Sequence, residues 1–305
     1  MKTVSVIKQN SQLYLMALPA IVLFFCFAYM PLFGLVIAFK RYTFDGGIFG
    51  SPWADPWYRN FMILINNPAA FNALKNTLFL NFLFISVGTV FALILALSFN
   101  EIRSPLYKRL TQSLTFLPYF ISTVVVGVLV AGILTTETGS LNGLLAALGR
   151  ERINFYTQPH YWPGIMLIVN IWKGAGYSAI VYLAAISGID TTFYEAAEID
   201  GASRLQQIRH ITLPLLRPTV IILTILAVGR IMNADFGLFF NVTRDIPMLY
   251  PTVDVLDTYI YRALRRTGDI GISSATGFFQ SVVAFVLVLV SNKLAHKIEQ
   301  GSGLF

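Results

Sequence analysis

The chain has 305 residues, of which 56% are hydrophobic and only 12% are charged. Soluble globular proteins carry about 25% charged residues, so this composition excludes an ordinary cytosolic enzyme, a disordered chain and a collagen-like chain. Lysine and arginine number 22 against 15 acidic residues, which gives a formal net charge of +7. The basic residues stand singly or in pairs between apolar runs, a distribution that indicates loop and interface charges rather than nucleic-acid binding.

The chain lacks the sequence signatures of a bound metal, a nucleotide or a catalytic group. Its single cysteine, Cys26, lies in an apolar run and can form neither an internal disulfide nor a Cys/His metal site. There is no Walker A pattern and no Gly-x-Gly-x-x-Gly before a helix. His160, His210 and His296 stand apart from one another in loops and flanks, without a Ser-His-Asp arrangement. We therefore expect no catalytic residue, no metal and no cofactor on this chain.

Six apolar segments are long enough to cross about 30 Å of hydrocarbon. The first, second, third and sixth segments carry no charge. The fourth contains Lys173, and the fifth contains Arg230 and Asp235. Glycine and proline occur within several of them, as membrane helices tolerate. The sequence predicts an all-α polytopic membrane protein with six transmembrane helices, at 13–39, 77–99, 110–136, 164–187, 218–240 and 270–292.

The first span resembles a signal peptide because Lys2 and Lys8 precede it, but it is longer than a signal core of about 7–15 residues. We expect it to be a retained helix. Six spans place both termini on one side of the membrane. The basic residues divide evenly between the two sides, so the positive-inside rule leaves the orientation open. In one loop, residues 141–148 predict a short surface helix that starts at Ser140 and ends at Gly149.

The loop between the fourth and fifth spans carries two helix-start signals. Thr192 is followed three residues later by Glu195, and Ser203 is followed in the same way by Gln206, as in capping boxes. Gly201 lies between them, where a helix ends on a left-handed residue. The pattern predicts a helix, a tight turn and a second helix outside the bilayer. Two prolines, Pro214 and Pro218, are expected to end this unit and open the fifth span.

The residues of this loop suit contact with another protein. Ala196 and Ala197 are small and allow close approach, while Glu195, Glu198 and Asp200 offer carboxylates to a partner arginine. A solvated amphipathic connector between two membrane helices explains the same pattern, so the residues alone leave both interpretations open.

The loop contains Glu195-Ala196-Ala197, then Gly201 after three further residues, and then Ile211-x-Leu213-Pro214 after nine more. This arrangement resembles the EAA motif of ABC importer permeases. The stretch from Tyr194 to Ser203 is similar to the carbohydrate-uptake branch of that family. Three further regions resemble the subgroup that serves complex oligosaccharides and polysaccharides: residues 115–122, residues 171–173 and the tail after the sixth span.

The resemblance implies a cytoplasmic loop that inserts into a cleft on a separate ATPase dimer, with ATP and magnesium bound there. It implies three parts: an N-terminal helix and external loop (1–72), a permease core (73–297) with the EAA loop at 188–217, and a short cytoplasmic tail (298–305). It also implies a second related permease, favouring a heterodimer, and an extracytoplasmic solute-binding protein. Both termini would be cytoplasmic, in a prokaryotic inner membrane. The coupling residues would be Glu195, Ala196, Ala197, Glu198, Asp200 and Gly201.

Polar residues at membrane depth are costly and are candidates for a substrate path. The clearest are Lys173, Arg230, Asn233 and Asp235, with Tyr177 and Gln280 as further members and Asn81, Asn170 and Tyr182 as weaker ones. Arg230 and Asn233 are expected to share a helix face, and Lys173 could pair with Asp235. The alternative is that these charges snorkel to the interface or hold helices together.

Other transport or enzyme classes fit the chain less well. A permease for another solute remains an alternative. An ion-coupled secondary transporter would show paired repeats and buried carboxylates, and Asp235 is the sole plausible carboxylate in the spans. A membrane-embedded enzyme would need a cluster of titratable groups, which are too few and too scattered here.

Overall fold

The computed structural model describes residues 10–298, with side chains as far as residue 294. Within this range the chain is helical apart from turns and one isolated antiparallel bridge, between Lys40 and Trp53. Lys2, Lys8, the side chain of His296 and the predicted tail beyond residue 298 lie outside the described part. In chain order the helical segments are Ser11–Phe39, Gly47–Gly50, Arg59–Asn66, Pro68–Glu101, Pro105–Phe120, Thr123–Leu134, Ser140–Ala147, Trp162–Ser187, Thr192–Ile199, Arg204–Gly229, Phe236–Thr243, Tyr250–Val253, Leu256–Arg265 and Ile270–Ile298, with short 3₁₀ turns at Phe155–Thr157, Pro159–Tyr161 and Pro247–Leu249.

Five of these segments are long and apolar enough to cross a membrane, and the number is six when a bent pair of helices is counted as one span. This confirms the predicted all-α polytopic fold. The first, second, fourth, fifth and sixth spans are Ser11–Phe39, Pro68–Glu101, Pro159–Ser187, Arg204–Gly229 and Ile270–Leu294, and the third is the pair Pro105–Phe120 and Thr123–Leu134.

The third span is bent by 101° between its two helices, so the expectation of one continuous helix over 110–136 is wrong. Pro118 has no N–H to donate to an earlier carbonyl, and the chain there narrows to a 3₁₀ turn. Ser122 is extended, and its hydroxyl accepts a hydrogen bond from the Val125 N–H at 3.4 Å. The first helix of the pair therefore ends at the turn that contains Pro118, and the Ser122 N-cap starts a second helix in a different direction.

The fifth span ends at Gly229, so the expected continuous helix over 218–240 is also wrong. Residues 230–235 are irregular, and a separate helix, Phe236–Thr243, follows them. Asp235 starts that helix, because its Oδ1 accepts the Leu238 N–H at 2.9 Å. Asp235 is thus a helix cap rather than a residue within a span.

The chain divides into two compact units. The first contains the residues up to Asn67 together with Ile260–Phe279. The second contains Pro68–Tyr259 together with the residues from Gln280 onward. In the first unit, buried Asn60 donates through Nδ2 to the carbonyls of Ala38 (2.9 Å) and Lys40 (3.0 Å). The predicted boundary after residue 72 remains a prediction.

The core of the second unit lies where the second and fourth spans pack. Ala92, Ala96 and Ala179 are fully buried there, and small side chains let two helix backbones approach closely. A second cluster centres on Trp162 and Phe239, joining the fourth span to the helix Phe236–Thr243. The second and fourth spans thereby form the frame that holds the break in the fifth.

The predicted short helix at 141–148 is confirmed as Ser140–Ala147, and Gly149 ends it with a positive φ of 70°. Ser140 makes no cap hydrogen bond. The helix is held instead by Asn142, which is fully buried. Its Nδ2 donates to the Ile153 carbonyl at 2.9 Å, and its Oδ1 accepts the Ile153 N–H at 2.7 Å.

Two glycines of the fourth span provide a matched test of this packing. A Cβ at Gly176 would stand well inside contact distance of the Thr115 carbonyl, whereas a Cβ at Gly174 would meet nothing. We expect Gly176→Ala to lower the free energy of unfolding by about 1–3 kcal/mol through overpacking, and Gly174→Ala to leave it nearly unchanged. Thermal melting of the purified protein in detergent measures both, and equal melting temperatures would contradict the packing described.

Candidate functional site

The loop between the fourth and fifth spans forms a hairpin of two helices, residues 190–212, which we call the hairpin. Its first helix, Thr192–Ile199, has Thr191 as N-cap, without a side-chain bond from that residue. The predicted capping box of Thr192 and Glu195 is wrong. Asp190 takes that role, because its Oδ1 accepts the Thr192 N–H at 2.9 Å. This hydrogen bond holds the pKa of the Asp190 carboxyl below its usual range, so the cap stays charged.

The turn of the hairpin is a Schellman motif centred on Gly201. Gly201 has a positive φ of 75°, as predicted. Its N–H donates to the Glu198 carbonyl at 3.1 Å, and the Ala202 N–H donates to the Ala197 carbonyl at 2.8 Å. A Cβ at Gly201 would meet no atom within 4 Å, so glycine is needed here for its backbone conformation alone.

The second helix of the hairpin begins with the predicted capping box. Gln206 Oε1 accepts the Ser203 N–H at 2.7 Å, and the box is complete. The expectation that Pro214 and Pro218 end this unit is wrong, because the helix runs from Arg204 to Gly229 without a break. A π-helical turn, Ile208–Thr212, directly precedes the prolines and adjusts the backbone where a proline N–H is missing. The second helix of the hairpin and the fifth span are therefore one helix.

A side-chain hydrogen bond closes the base of the hairpin. The hydroxyls of Tyr194, on the first helix, and Thr212, at the end of the π turn, are 2.9 Å apart. Thr212 is only 2% exposed. A cavity of about 260 Å³ lies behind this joint, lined by residues that include Asn100, Glu101, Ile186, Tyr194, Gln207 and Thr212. The sequence analysis gave Tyr194 and Thr212 no role, because their contact depends on how the two helices fold back.

The tip and outer face of the hairpin are exposed. Glu195, Ala196, Glu198, Asp200 and Gly201 are exposed and Ala197 is half-buried. Glu198 is held in an exposed ion pair with Arg204 at 3.1 Å, so Glu195 and Asp200 are the two candidate carboxylates without an ion pair in the described chain. Two apolar residues that the sequence analysis missed flank them, Ile199 (87% exposed) and Leu205 (75% exposed).

A second candidate region lies at the break in the fifth span. Asn81 Nδ2 donates to the Ile231 carbonyl at 2.8 Å, and Gln280 Nε2 donates to the Met232 carbonyl at 2.6 Å. Gln280 Nε2 also lies 2.8 Å from Asn233 Oδ1. Asn81, Asn233 and Gln280, all named from sequence, thus meet here. Arg230 and Asn233 do not share a helix face as expected, since the helix ends before them.

Asp257 belongs to the same region, although sequence reasoning missed it. It lies in helix Leu256–Arg265, outside the spans, and its Oδ2 accepts the Ala234 N–H at 2.9 Å. Burial raises the pKa of this carboxyl. A single acidic residue in an amphipathic loop helix gives no sequence signal that it will reach a break in another element.

Two cavities run between the second, fourth and fifth spans, and together we call them the groove. They measure about 260 and 280 Å³ and share Phe84, Ile85, Asn170 and Ala227. Further lining residues are Thr89, Tyr177, Ser178 and Tyr182 in the first, and Asn81, Arg230, Asn233 and Asp235 in the second. Hydroxyl, amide and charged groups therefore share one apolar-walled space.

An aromatic stack stands beside the groove. The rings of Tyr119 and Tyr177 are 4.7 Å apart and 13° from parallel, and both side chains are more than 40% exposed. Lys173 Nζ donates to the Tyr119 carbonyl at 3.0 Å and lies 5.6 Å from the centre of that ring. The expected pairing of Lys173 with Asp235 is wrong, because neither residue has an ion pair in the described chain. Tyr119, at the bend of the third span, is a further residue that sequence reasoning missed.

Comparison with known proteins places the chain in a family. Residues 88–300 match the model of the binding-protein-dependent transport system inner membrane component. The chain is 38% identical to the polygalacturonan/rhamnogalacturonan transport system permease protein YteP of Bacillus subtilis (strain 168), over 96% of this chain and 90% of that protein. It is 35% identical to the protein LplB of the same organism, over 98% of this chain and 92% of that protein.

Solved structures agree with this relationship. The chain matches a crystal structure of a bacterial ABC transporter involved in import of the acidic polysaccharide alginate with a TM-score of 0.90 and 38% identity, covering 98% of this chain and 100% of that one. The alginate transporter in complex with an alginate pentasaccharide-bound periplasmic protein matches with a TM-score of 0.88 and 38% identity, over 97% and 98% of the two chains.

The chain therefore belongs to the family of binding-protein-dependent transport system inner membrane components. It is a multi-pass permease subunit of an ABC importer, a transport component rather than a catalyst, which confirms the resemblance stated from the EAA motif.

The hydroxyl pair at the base of the hairpin can be tested by a double-mutant cycle. Tyr194→Phe leaves the buried Thr212 hydroxyl without its partner, so we expect a loss of about 1–3 kcal/mol of stability. Adding Thr212→Val to that variant should cost less than the sum of the single changes, because the two groups share one bond. Thermal unfolding measures the cycle, with the exposed Tyr107→Phe as a control. Additive effects would show that the bond contributes nothing.

Proposed function

We propose that this chain forms half of the translocation pathway of an ABC importer for oligosaccharides or polysaccharides, and that the hairpin couples it to a separate ATPase. The substrates for which the related transporters are named, polygalacturonan/rhamnogalacturonan and alginate, support the substrate class. The observation that carries the coupling role is that the hairpin is a rigid, exposed extension of a membrane helix.

The hairpin can transmit movement because both of its ends are anchored. Its second helix continues into the fifth span, and its first follows the fourth span after a short turn, residues 188–191. The Tyr194–Thr212 bond joins the two helices near the membrane end. A displacement of the tip would therefore move the two spans as a body, as a rigid-body transition between two access states requires.

The chemistry of the tip suits a cleft in another protein. Glu195 and Asp200 present carboxylates that are free to pair with partner arginines, and Ile199 and Leu205 present apolar surface that association would bury. An isolated surface turn has no need of two large exposed aliphatic side chains. The combination favours docking over a solvated connector.

Docking of the hairpin would also fix the orientation that the charge distribution leaves open. If it docks on a cytoplasmic ATPase dimer, which binds the ATP and magnesium, both termini are cytoplasmic in a prokaryotic inner membrane. The other face then receives an extracytoplasmic solute-binding protein. The second half of the pathway comes from a related permease, most simply in a heterodimer.

The groove is the proposed substrate path within this subunit. Asn170, Ser178 and Asn233 supply hydrogen-bonding groups for sugar hydroxyls, and Tyr177 with Tyr119 supplies aromatic surface. Of the two candidate cations, Arg230 lines the groove, and Lys173 lies beside it at the Tyr119 ring. Asp235 and Gln280 are committed to backbone groups at the break, so we assign them to shaping the groove.

Coupling is tested in proteoliposomes that contain the full complex, with the binding protein and saccharide outside and ATP inside. Gly201→Pro breaks the Schellman turn and Glu195→Lys reverses a docking charge, so each should lower uptake about tenfold or more while the permease still inserts. ATP hydrolysis in the same vesicles should no longer follow uptake.

The loop after Ser140–Ala147 provides matched controls. Gly149 has the same backbone geometry as Gly201, with a positive φ and the Gly149 N–H bonded to the Ala146 carbonyl. Gly149→Pro and Glu151→Lys should therefore leave coupling intact. Normal transport by both hairpin variants would refute the docking role, and uptake that persists without ATP would exclude an ABC importer.

A further inference from the structure

The side-chain amide of Gln280 lies behind the break in the fifth span, and the backbone fixes its orientation. Gln280 is only 6% exposed. Its Nε2 donates to the Met232 carbonyl at 2.6 Å, and an oxygen of the Asp257 carboxylate lies 3.3 Å from the same nitrogen. A backbone carbonyl can only accept a hydrogen bond. The nitrogen of the Gln280 amide, and not its oxygen, must therefore face the break.

This orientation decides the orientation of a second amide, that of Asn233. Asn233 Oδ1 accepts a hydrogen bond from Gln280 Nε2 at 2.8 Å. A nitrogen in that place would set one donor against another, so the Asn233 oxygen has to face Gln280 and its Nδ2 points away. Asn233 is exposed and lines the second cavity of the groove, and its Nδ2 has no hydrogen-bond partner in the described chain. Asn233 therefore presents a donor to the groove.

The other polar groups at the break leave recognition to this amide. Arg230 and Asp235 line the same cavity, so a cation and a carboxylate stand there together. Asp235 also uses one carboxylate oxygen to cap the helix that follows. Asn81 uses its Nδ2 for the Ile231 carbonyl. Because these two charges are of opposite sign, we expect contacts at this point to depend on placed hydrogen bonds, of which the Asn233 donor is one.

We propose that Gln280 is a positioning residue for saccharide recognition, because it holds the Asn233 amide with Nδ2 toward the groove, where this nitrogen donates to an oxygen of the sugar. The proposal rests on the proposed function and names the residue that orients one of its contacts. Gln280 is buried and acts through Asn233. Without it the Asn233 amide is free to rotate, and the donor faces the groove only part of the time.

The test uses proteoliposomes of the whole complex, with an oligogalacturonate and an alginate oligosaccharide as probes, since related transporters are named for these polymers. The loaded binding protein is titrated on the outside, with ATP inside. We expect Gln280→Met and Asn233→Ala each to lower the maximal rate of uptake about fivefold, as the loss of one hydrogen bond would. The KM for the loaded binding protein should change by less than about twofold, because the groove acts after delivery.

The double variant separates positioning from a purely structural role. If Gln280 acts through Asn233, Gln280→Met should lower uptake no further once Asn233→Ala has removed the amide. Losses that multiply to about 25-fold would overturn the proposal, because independent sites are additive in free energy. A loss in Gln280→Met without a loss in Asn233→Ala would also overturn it.

Asn233→Asp tests the direction of the amide by itself, and it stays informative if Gln280→Met fails to insert. This variant keeps an oxygen for Gln280 and replaces the nitrogen that faces the groove with a second oxygen. Uptake should therefore fall at least as far as in Asn233→Ala. Uptake at the wild-type rate by Asn233→Asp would refute the donor role.

Asn76→Leu is the matched structural control. Asn76 is a buried amide of the second span, 7% exposed, that donates to the carbonyls of Tyr250 and Pro251 and lines neither cavity of the groove. Its loss should lower the melting temperature, as Gln280→Met does, while uptake per assembled complex is kept. An equal loss of uptake in Asn76→Leu would overturn the proposal, because reduced stability would then account for Gln280.

The wild-type protein separates this proposal from the proposed function. ATP-dependent wild-type uptake that Asn233→Ala leaves unchanged would refute the recognition role and leave the importer intact. Wild-type vesicles that take up neither probe would refute the proposed function, and the positioning role with it.

Discussion

Backbone N–H and carbonyl groups inside a membrane have no bulk water to bind, and this constraint accounts for the side chains that gather at the break in the fifth span. At the break after Gly229, four groups lose their helical partners and four side chains replace them. Asn81 and Gln280 donate to the carbonyls of residues 231 and 232, while Asp257 and Asp235 accept the N–H groups of residues 234 and 238. The break is thus held by side chains from the second and sixth spans, from helix Leu256–Arg265 and from the residue that caps helix Phe236–Thr243.

These side-chain hydrogen bonds change how the polar residues at membrane depth are interpreted. Such residues default to functional candidates because burial is costly. Here the side chains of Asn81, Gln280 and Asp257 form hydrogen bonds with the backbone at the break, and this bonding is a sufficient reason for their presence. Lys173 is used in the same way at the bend of the third span, where its Nζ donates to the Tyr119 carbonyl. Arg230 and the rings of Tyr119 and Tyr177 remain, since no hydrogen bond to the backbone in the described chain explains them. The distinction between these two sets is what makes the groove a specific chemical hypothesis.

The hairpin obeys the same rule outside the bilayer. Asp190, Gly201 and Ser203 each satisfy backbone groups at a helix end, so the two helices are stiff without help from a large core. The π turn at Ile208–Thr212 keeps the second helix continuous past two prolines. Stiffness and continuity together connect the tip to the pathway, because movement at one end then reaches the break about one membrane helix away.

The local sequence by itself determined which segments are apolar, where the hairpin turns and which family the chain belongs to. Those features depend on runs of side chains and on contacts between residues less than about six apart, such as Ser203 with Gln206 and Gly201 with its preceding helix. Local signals were nevertheless misread where two candidates competed, as at Asp190 and Thr192.

Tertiary structure alone decided the break in the fifth span and the contacts of Asp257, Tyr119 and Tyr194, whereas the bend of the third span follows from Pro118 and the Ser122 N-cap. The partners of Asp257, Tyr119 and Tyr194 lie from 18 to more than 50 positions away in the chain. Whether the helix continues through the Gly-Arg step depends on whether distant side chains are present to take over its orphan hydrogen bonds. Tertiary packing therefore decides whether the helix breaks, because no local sequence pattern encodes which distant side chain will lie next to it.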